Sequence, residues 1–149
     1  MRIDKDNYYL NIAKAVAARS TCLRRQYGAV IVADDEIIAT GYNGAPEGIK
    51  SCVEKGECMR DIMKIPSGTR AELCYAVHAE QNAICQAAKL GISLEGATLY
   101  CTHQPCSICA KIIVNSGIKR IVYREGYPDE FAMKILSEAD ILVERYADK

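Results

Sequence analysis

Two thiols three residues apart, in the string Pro105-Cys106-Ser107-Ile108-Cys109, carry the most specific chemistry of this chain. At the start of a predicted helix that spacing places both side chains on one face, where they can grip a single metal ion. The positive end of the helix favours thiolates as well. Taken alone, C-x-x-C is shared by structural zinc sites and redox dithiols. A second string, His78-Ala79-Glu80, also opens a predicted helix and adds one neutral nitrogen ligand and one carboxylate. Two cysteines and one histidine leave the fourth position of a tetrahedral zinc open, which separates catalytic from structural ions, and water held there loses its proton near neutral pH. His78 and Glu80 stand about 200° apart around an ideal helix, so one face cannot present both to the ion. Glu80 is therefore read as a base and His78, Cys106 and Cys109 as the ligands. In a non-catalytic, zinc-stabilised binding domain Glu80 would be dispensable.

The remaining cysteines raise a separate question. Cys22, Cys52, Cys58 and Cys74 lie in the first half of the chain, three of them in or beside the stretch from Gly41 to Cys74. That stretch holds five glycines, two prolines and no clear period, which is long for a structureless connection. Something must pin it. A second zinc on these four thiols would do so, although four separate reduced thiols fit the loose spacing equally. Cys85 and Cys101 read as core residues of a helix and a strand.

Positioning these groups requires elements, and the pattern supplies them. Leu10, Ala13, Val16 and Ala17 recur at helical spacing behind a cap at Asp4 or Asp6. Gly28–Val32 and Ile37–Thr40 read as an antiparallel hairpin around a polar turn. A helix spans Ala79 to Leu90, with Ala83, Ile84, Ala87 and Ala88 on its apolar side and Gly91 as terminator. Strand 97–101, helix 106–116, strand 118–123, helix 131–139 and strand 141–143 follow in alternation. A hairpin followed by alternating helices and strands predicts an α/β fold, three layers α/β/α around a five-stranded mixed sheet. With 149 residues, half of them hydrophobic, the whole of 1–149 is read as one domain.

Several partners are excluded at this level. Nineteen basic and nineteen acidic residues give no net field to gather a polyanion, so no nucleic acid is expected. The first twenty residues mix charges into an amphipathic pattern unlike a secretory signal, and no run approaches the roughly 18 to 20 apolar residues of a membrane span. A cytoplasmic protein without membrane attachment is expected. Because ligands gather beyond the carboxyl ends of strands in open α/β sheets, Arg25, Tyr123 and Arg124 are candidates for holding a phosphate, with Arg24 an alternative.

His-Ala-Glu followed by Pro-Cys-x-x-Cys is the signature of zinc nucleobase deaminases, which this chain resembles. STCLRRQYGAVIV (20–32), GYNGAP (41–46), VHAEQNAI (77–84), GATLYCTHQPCSICAKIIVNSGI (96–118) and IVY (121–123) are similar to the deoxycytidylate branch of the cytidine/deoxycytidylate deaminases, especially its bacterial type. The resemblance implies a cytidine-deaminase-like fold and hydrolysis of dCMP to dUMP and ammonia, supplying dUMP for thymidylate synthesis. It implies that Glu80 takes a proton from water at the zinc, delivers it to N3 of the base, and later protonates the departing amine. The backbone near Ala79 and Thr102 would read the pyrimidine edge, and Asn43 would contact sugar or base, although Asn before Gly is also ordinary turn chemistry. His103 stands where many deaminases carry an apolar residue. Also implied are a homo-oligomer, commonly a hexamer, activation by dCTP and inhibition by dTTP with Mg(2+), and the GYNG loop as part of an effector site. Some relatives of this branch carry a second zinc near the irregular segment, with ligands that are not all cysteine. Deaminases of cytidine, guanine or tRNA adenosine share the same zinc motif.

Overall fold

The computed structural model describes residues 2–66, 69–126 and 129–147. Helix α1 (Lys5–Ala17) starts at Asp4, whose carboxylate accepts the Asn7 N–H at 2.7 Å. Strands β1 (Gly28–Ala33) and β2 (Glu36–Tyr42) form the expected hairpin, with Ala29 opposite Gly41 and Ala33 opposite Glu36. Its turn is Asp34-Asp35, both at positive φ (51° and 61°), the conformation whose twist matches that of paired strands. Next come α2 (Cys52–Lys55), α3 (Met59–Ile62) and a 3-10 turn over Ala71–Leu73. The alternating half follows as α4 (Ala79–Leu90), β3 (Thr98–His103), α5 (Ser107–Ser116), β4 (Arg120–Glu125), α6 (Glu130–Glu138) and β5 (Leu142–Arg145).

One mixed sheet results, in the order β2-β1-β3-β4-β5. β1 pairs antiparallel with both neighbours, whereas β3, β4 and β5 run parallel through crossover helices α5 and α6. Residues two apart on a strand share a face, and this parity sorts the core into two layers. Val30, Val32, Tyr100 and Val122 meet Tyr9, Leu10 and Ala13 of α1. Ala29, Ile31, Leu99, Cys101 and Ile121 meet Ala83, Ala110, Ile113 and Leu136 on the opposite side. Burying side chains such as Leu99, Ile113 and Ile121 completely contributes about 1.5–3 kcal/mol each. The three-layer α/β/α arrangement with five strands is as the pattern predicts, and among the described residues no helix is long and apolar enough to cross a membrane.

Two expectations change. The stretch from Gly41 to Cys74 contains α2, α3 and the 3-10 turn, and ordinary hydrogen bonds pin it. Val53 N–H reaches the Thr21 carbonyl at 3.2 Å, Thr21 N–H the Asn43 carbonyl at 3.3 Å, and Gly44 and Val77 exchange two bonds at 3.2 and 2.7 Å. Ser51 and Glu54 close a capping box at the start of α2. Cys85 is the second correction: it is exposed, as is Ala88, because α4 buries the narrower stripe Ala79, Ala83 and Ala87 together with Glu80. Cys101 is fully buried, as read from its strand.

Candidate active site

Helices α4 and α5 both begin beyond the carboxyl end of β3, because α4 runs back along the sheet before β3 and α5 departs from its end. His78 is the N-cap of α4 and Cys106 the N-cap of α5, with Cys109 in the first turn of α5. β2 lets α4 sit close: a side chain on Gly41 would collide with the Ala79 carbonyl and the Ala83 nitrogen. Gln81 steadies the entry to α4 by accepting the His78 N–H at 2.9 Å, and Asn82 ties the helix to the Tyr42 carbonyl at 2.7 Å.

The outcome is a compact donor set. The ligand atoms of His78, Cys106 and Cys109 all lie within 4.8 Å of one another. His78 Nδ1 stands 3.2 Å from Cys109 Sγ and 3.5 Å from Cys106 Sγ. Tetrahedral zinc, with bonds of about 2.3 Å to sulfur and about 2.0 Å to nitrogen, requires a sulfur–nitrogen separation of about 3.5 Å, so the residues fit that ion. A hydrogen bond from the Cys109 thiol, with help from His78, depresses Cys106 to about 4. Cys109 is pushed up correspondingly by the Cys106 thiolate and by burial. The same thiolate raises His78 against the effect of its burial.

Glu80 completes the group from the first turn of α4. Its carboxylate belongs to a residue only 7% exposed, and burial raises its proton affinity, opposed by hydrogen bonding to Cys109. Behind it the Cys101 thiol is raised well above its usual range by burial, and the Glu80 charge adds to the effect.

The other predicted residues fall into two groups. Ala79 is buried beside His78, and Thr102 is half-buried, its hydroxyl accepting the Gly28 N–H at 3.1 Å. Asn43 is buried and spends its amide on the strap before β1: Oδ1 accepts the Tyr27 N–H at 2.8 Å and Nδ2 donates to the Arg25 carbonyl at 3.1 Å. Arg25 itself is exposed and donates to the Tyr27 hydroxyl at 3.2 Å. His103 packs its ring 4.2 Å from that of Tyr27. Tyr123 lies in the core on the ligand side of the sheet. Arg124 faces the other way, donating to Asn7 at 2.7 Å and Asn11 at 3.2 Å on α1, and Arg24 pairs with Asp61.

Cys22, Cys52, Cys58 and Cys74 are not gathered into a ligand group of the kind formed by His78, Cys106 and Cys109. Cys22 Sγ accepts the Arg24 N–H and Cys74 Sγ the Ala76 N–H, each at 3.4 Å, while Cys52 and Cys58 are buried at the starts of α2 and α3. They do sense one another, since Cys52 is raised by burial and then by the charges of Cys58, Cys74 and Cys22.

Sequence reasoning passed over Gln81, Asn82, Gln104 and Asp129. An N-cap followed three residues later by Gln is the available signal for Gln81, and an Asp opening a helix the signal for Asp129. Gln104 carries no signal, because its partner lies 25 residues away.

The family model for the cytidine and deoxycytidylate deaminase zinc-binding region matches residues 3–125. The chain belongs to this family. Zinc is accordingly its cofactor, and His78, Cys106 and Cys109 are the donors that the described residues bring together for it. Deoxycytidylate deaminase from Mycobacterium phage D29 is 44% identical over 127 residues, covering 82% of this chain and 95% of that protein. The Saccharomyces cerevisiae deoxycytidylate deaminase is 37% identical over 148 residues, 99% of this chain but 46% of that protein, so the chain spans about half of the yeast relative. Among solved structures, dCMP deaminase from cyanophage S-TIM5 in complex with dCMP and dUMP superposes with a TM-score of 0.78 at 31% identity, covering 98% of this chain and 99% of that one.

Proposed function

We propose that this chain hydrolyses dCMP to dUMP and ammonia, and so supplies dUMP for thymidylate synthesis. The observation that carries the reading is the buried Glu80 carboxylate beside a compact two-sulfur, one-nitrogen donor set. When bound, zinc supplies a Lewis acid that makes a water molecule nucleophilic at neutral pH. His78, Cys106 and Cys109 would hold the ion, and three protein donors would leave a fourth tetrahedral position for that water. Glu80 takes a proton from the water and places it on N3 as oxygen adds to C4. It then carries the second proton to the exocyclic nitrogen, the C4–N bond breaks, and ammonia departs as the C4 carbonyl forms. A carboxylate whose proton affinity is raised by burial suits both halves of this shuttle. Backbone groups at Ala79 and Thr102 read the pyrimidine edge. Asn43 holds the strap that presents Arg25 to the 5′-phosphate, and Tyr123 lines the same side.

The substrate follows the relatives named deoxycytidylate deaminase and the cyanophage enzyme solved with dCMP and dUMP. Product analysis on zinc-loaded protein offered dCMP, deoxycytidine, cytidine and guanine tests it. dCMP should be preferred by at least about a hundredfold, the scale set when a site's charged groups lose their ligand partner. Preference for cytidine would reject the reading.

The same proposal includes one deaminase domain over 1–149 in a reducing, cytoplasmic setting, which eight free cysteines support. It also includes a homo-oligomer, for which Ile108 and Ile112 on α5 and Phe131 on α6 offer exposed apolar surface. Regulation by dCTP and dTTP with Mg(2+) completes it, together with a second zinc that would have to draw Cys22, Cys52, Cys58 and Cys74 closer than they stand or take other donors beside them. Light scattering with and without dCTP, and zinc counted per chain, test these parts.

A further inference from the structure

One acidic residue holds the turn that carries Cys106 from both sides. Gln104, two residues before Cys106, accepts the Asp129 backbone N–H on Oε1 at 3.2 Å. Ser107, the residue after it, donates its backbone N–H to Asp129 Oδ2 at 3.2 Å. The second carboxylate oxygen, Oδ1, accepts the Ala132 N–H at 3.0 Å and caps α6. Gln104 is fastened in turn to the end of β4, its N–H on the Glu125 carbonyl at 3.0 Å.

The need for such a device follows from what Cys106 does. A helix begins with N–H groups that have no partner inside the helix, and the N-cap side chain normally accepts from one of them. Cys106 occupies the N-cap of α5 in an extended conformation and makes no side-chain cap bond, its sulfur being turned toward His78. An N-cap committed to a metal cannot also cap its helix. Asp129 supplies an acceptor from another helix for a different one of these groups, the N–H of Ser107 at the first position of α5, and gives its other oxygen to α6.

We infer that Asp129 is a positioning residue for the metal centre: by tying Gln104 and Ser107 together it sets the angle at which Cys106 meets the ion. The inference rests on His78, Cys106 and Cys109 being the zinc ligands. Groups hydrogen-bonded directly to metal ligands are worth about 10- to 100-fold in metal affinity, and Asp129, one residue removed from Cys106, should reach the lower end of that range.

The test exploits the difference between one acceptor oxygen and two. Asp129→Asn keeps a good N-cap for α6 but has a single acceptor, so α6 stays capped and the Ser107 N–H loses its partner. Leu136→Ala serves as the control, because it empties core beneath α6 without touching the turn. Zinc dissociation constants are measured by competition with a chromophoric chelator, with thermal midpoints of the zinc-free proteins alongside. Asp129→Asn should bind zinc about tenfold more weakly than wild type with a midpoint near wild type, and Leu136→Ala should show a lowered midpoint and a smaller loss of zinc affinity. Zinc binding by Asp129→Asn no weaker than by Leu136→Ala would overturn the inference. No substrate enters the measurement, so its failure is distinct from failure of the dCMP assignment.

Discussion

Burial acts on Glu80 in two ways: it raises the carboxylate's proton affinity and keeps bulk water from competing for the proton it moves. Glu80→Gln keeps shape and hydrogen bonding but cannot shuttle, so turnover should fall on the order of 10³-fold with zinc content unchanged. Ammonia release and metal analysis on the same preparation check this; wild-type turnover would return Glu80 to an ordinary first-turn carboxylate. Cys106→Ala should remove one equivalent of zinc per chain, leaving any held by the four upstream thiols. The grouping of His78, Cys106 and Cys109 was legible from motif spacing, because ligands on two helix starts leave a local signature, and Glu80 was read from the same string. Arg124 was legible too, had strand parity been applied: with Ile121 and Tyr123 facing the ligand side, Arg124 joins Val122 on the side of α1.

At the scale of elements, the seat of α4 on β2 sets where His78 and Glu80 stand, and α1 covers the opposite face of the sheet. Gly41→Ala drives a methyl group into the backbone of α4 and should cost about 1–3 kcal/mol by overpacking, read as a lowered denaturant midpoint. Activity should fall with it, since the same helix carries His78 and Glu80. α1 is fastened by Asp6, which accepts from Arg120 at 2.8 and 3.1 Å and from the Tyr100 hydroxyl at 2.8 Å. The Arg120 guanidinium is the main reason that the Asp6 carboxyl is held below its ordinary range. A depressed carboxylate stabilises the fold above its unfolded pKa of about 3.9 and loses that contribution as pH falls through the folded value. Stability should therefore drop on acidification below about pH 4, and Asp6→Asn should flatten that drop in denaturant titrations across the window. Long helices and the hairpin were readable from their periods. Four-residue α2 and α3 were not, because one turn cannot display a 3.6-residue repeat; α2 rests on the Ser51 cap and the Val53–Thr21 hydrogen bond, and α3 on Arg24 pairing with Asp61.

For the molecule as a whole, a ligand that binds only the folded state adds to its stability. Chelation should lower the thermal midpoint and zinc should restore it, whereas magnesium, which prefers oxygen donors, should not. The layer order followed from alternation of elements, and the place of β1 beside β3 did not, since that pairing joins strands separated by the whole irregular segment. One consequence of the winding is modular. Every group assigned to breaking the C–N bond lies between His78 and Cys109, on one continuous passage through α4, β3 and the start of α5. Arg25, assigned to the phosphate, and Asn43, which holds its strap, lie on an earlier stretch. A chimera exchanging residues 20–46 with a relative should therefore keep its metal and its reading of the base through Ala79 and Thr102, and change only the grip on the sugar and phosphate.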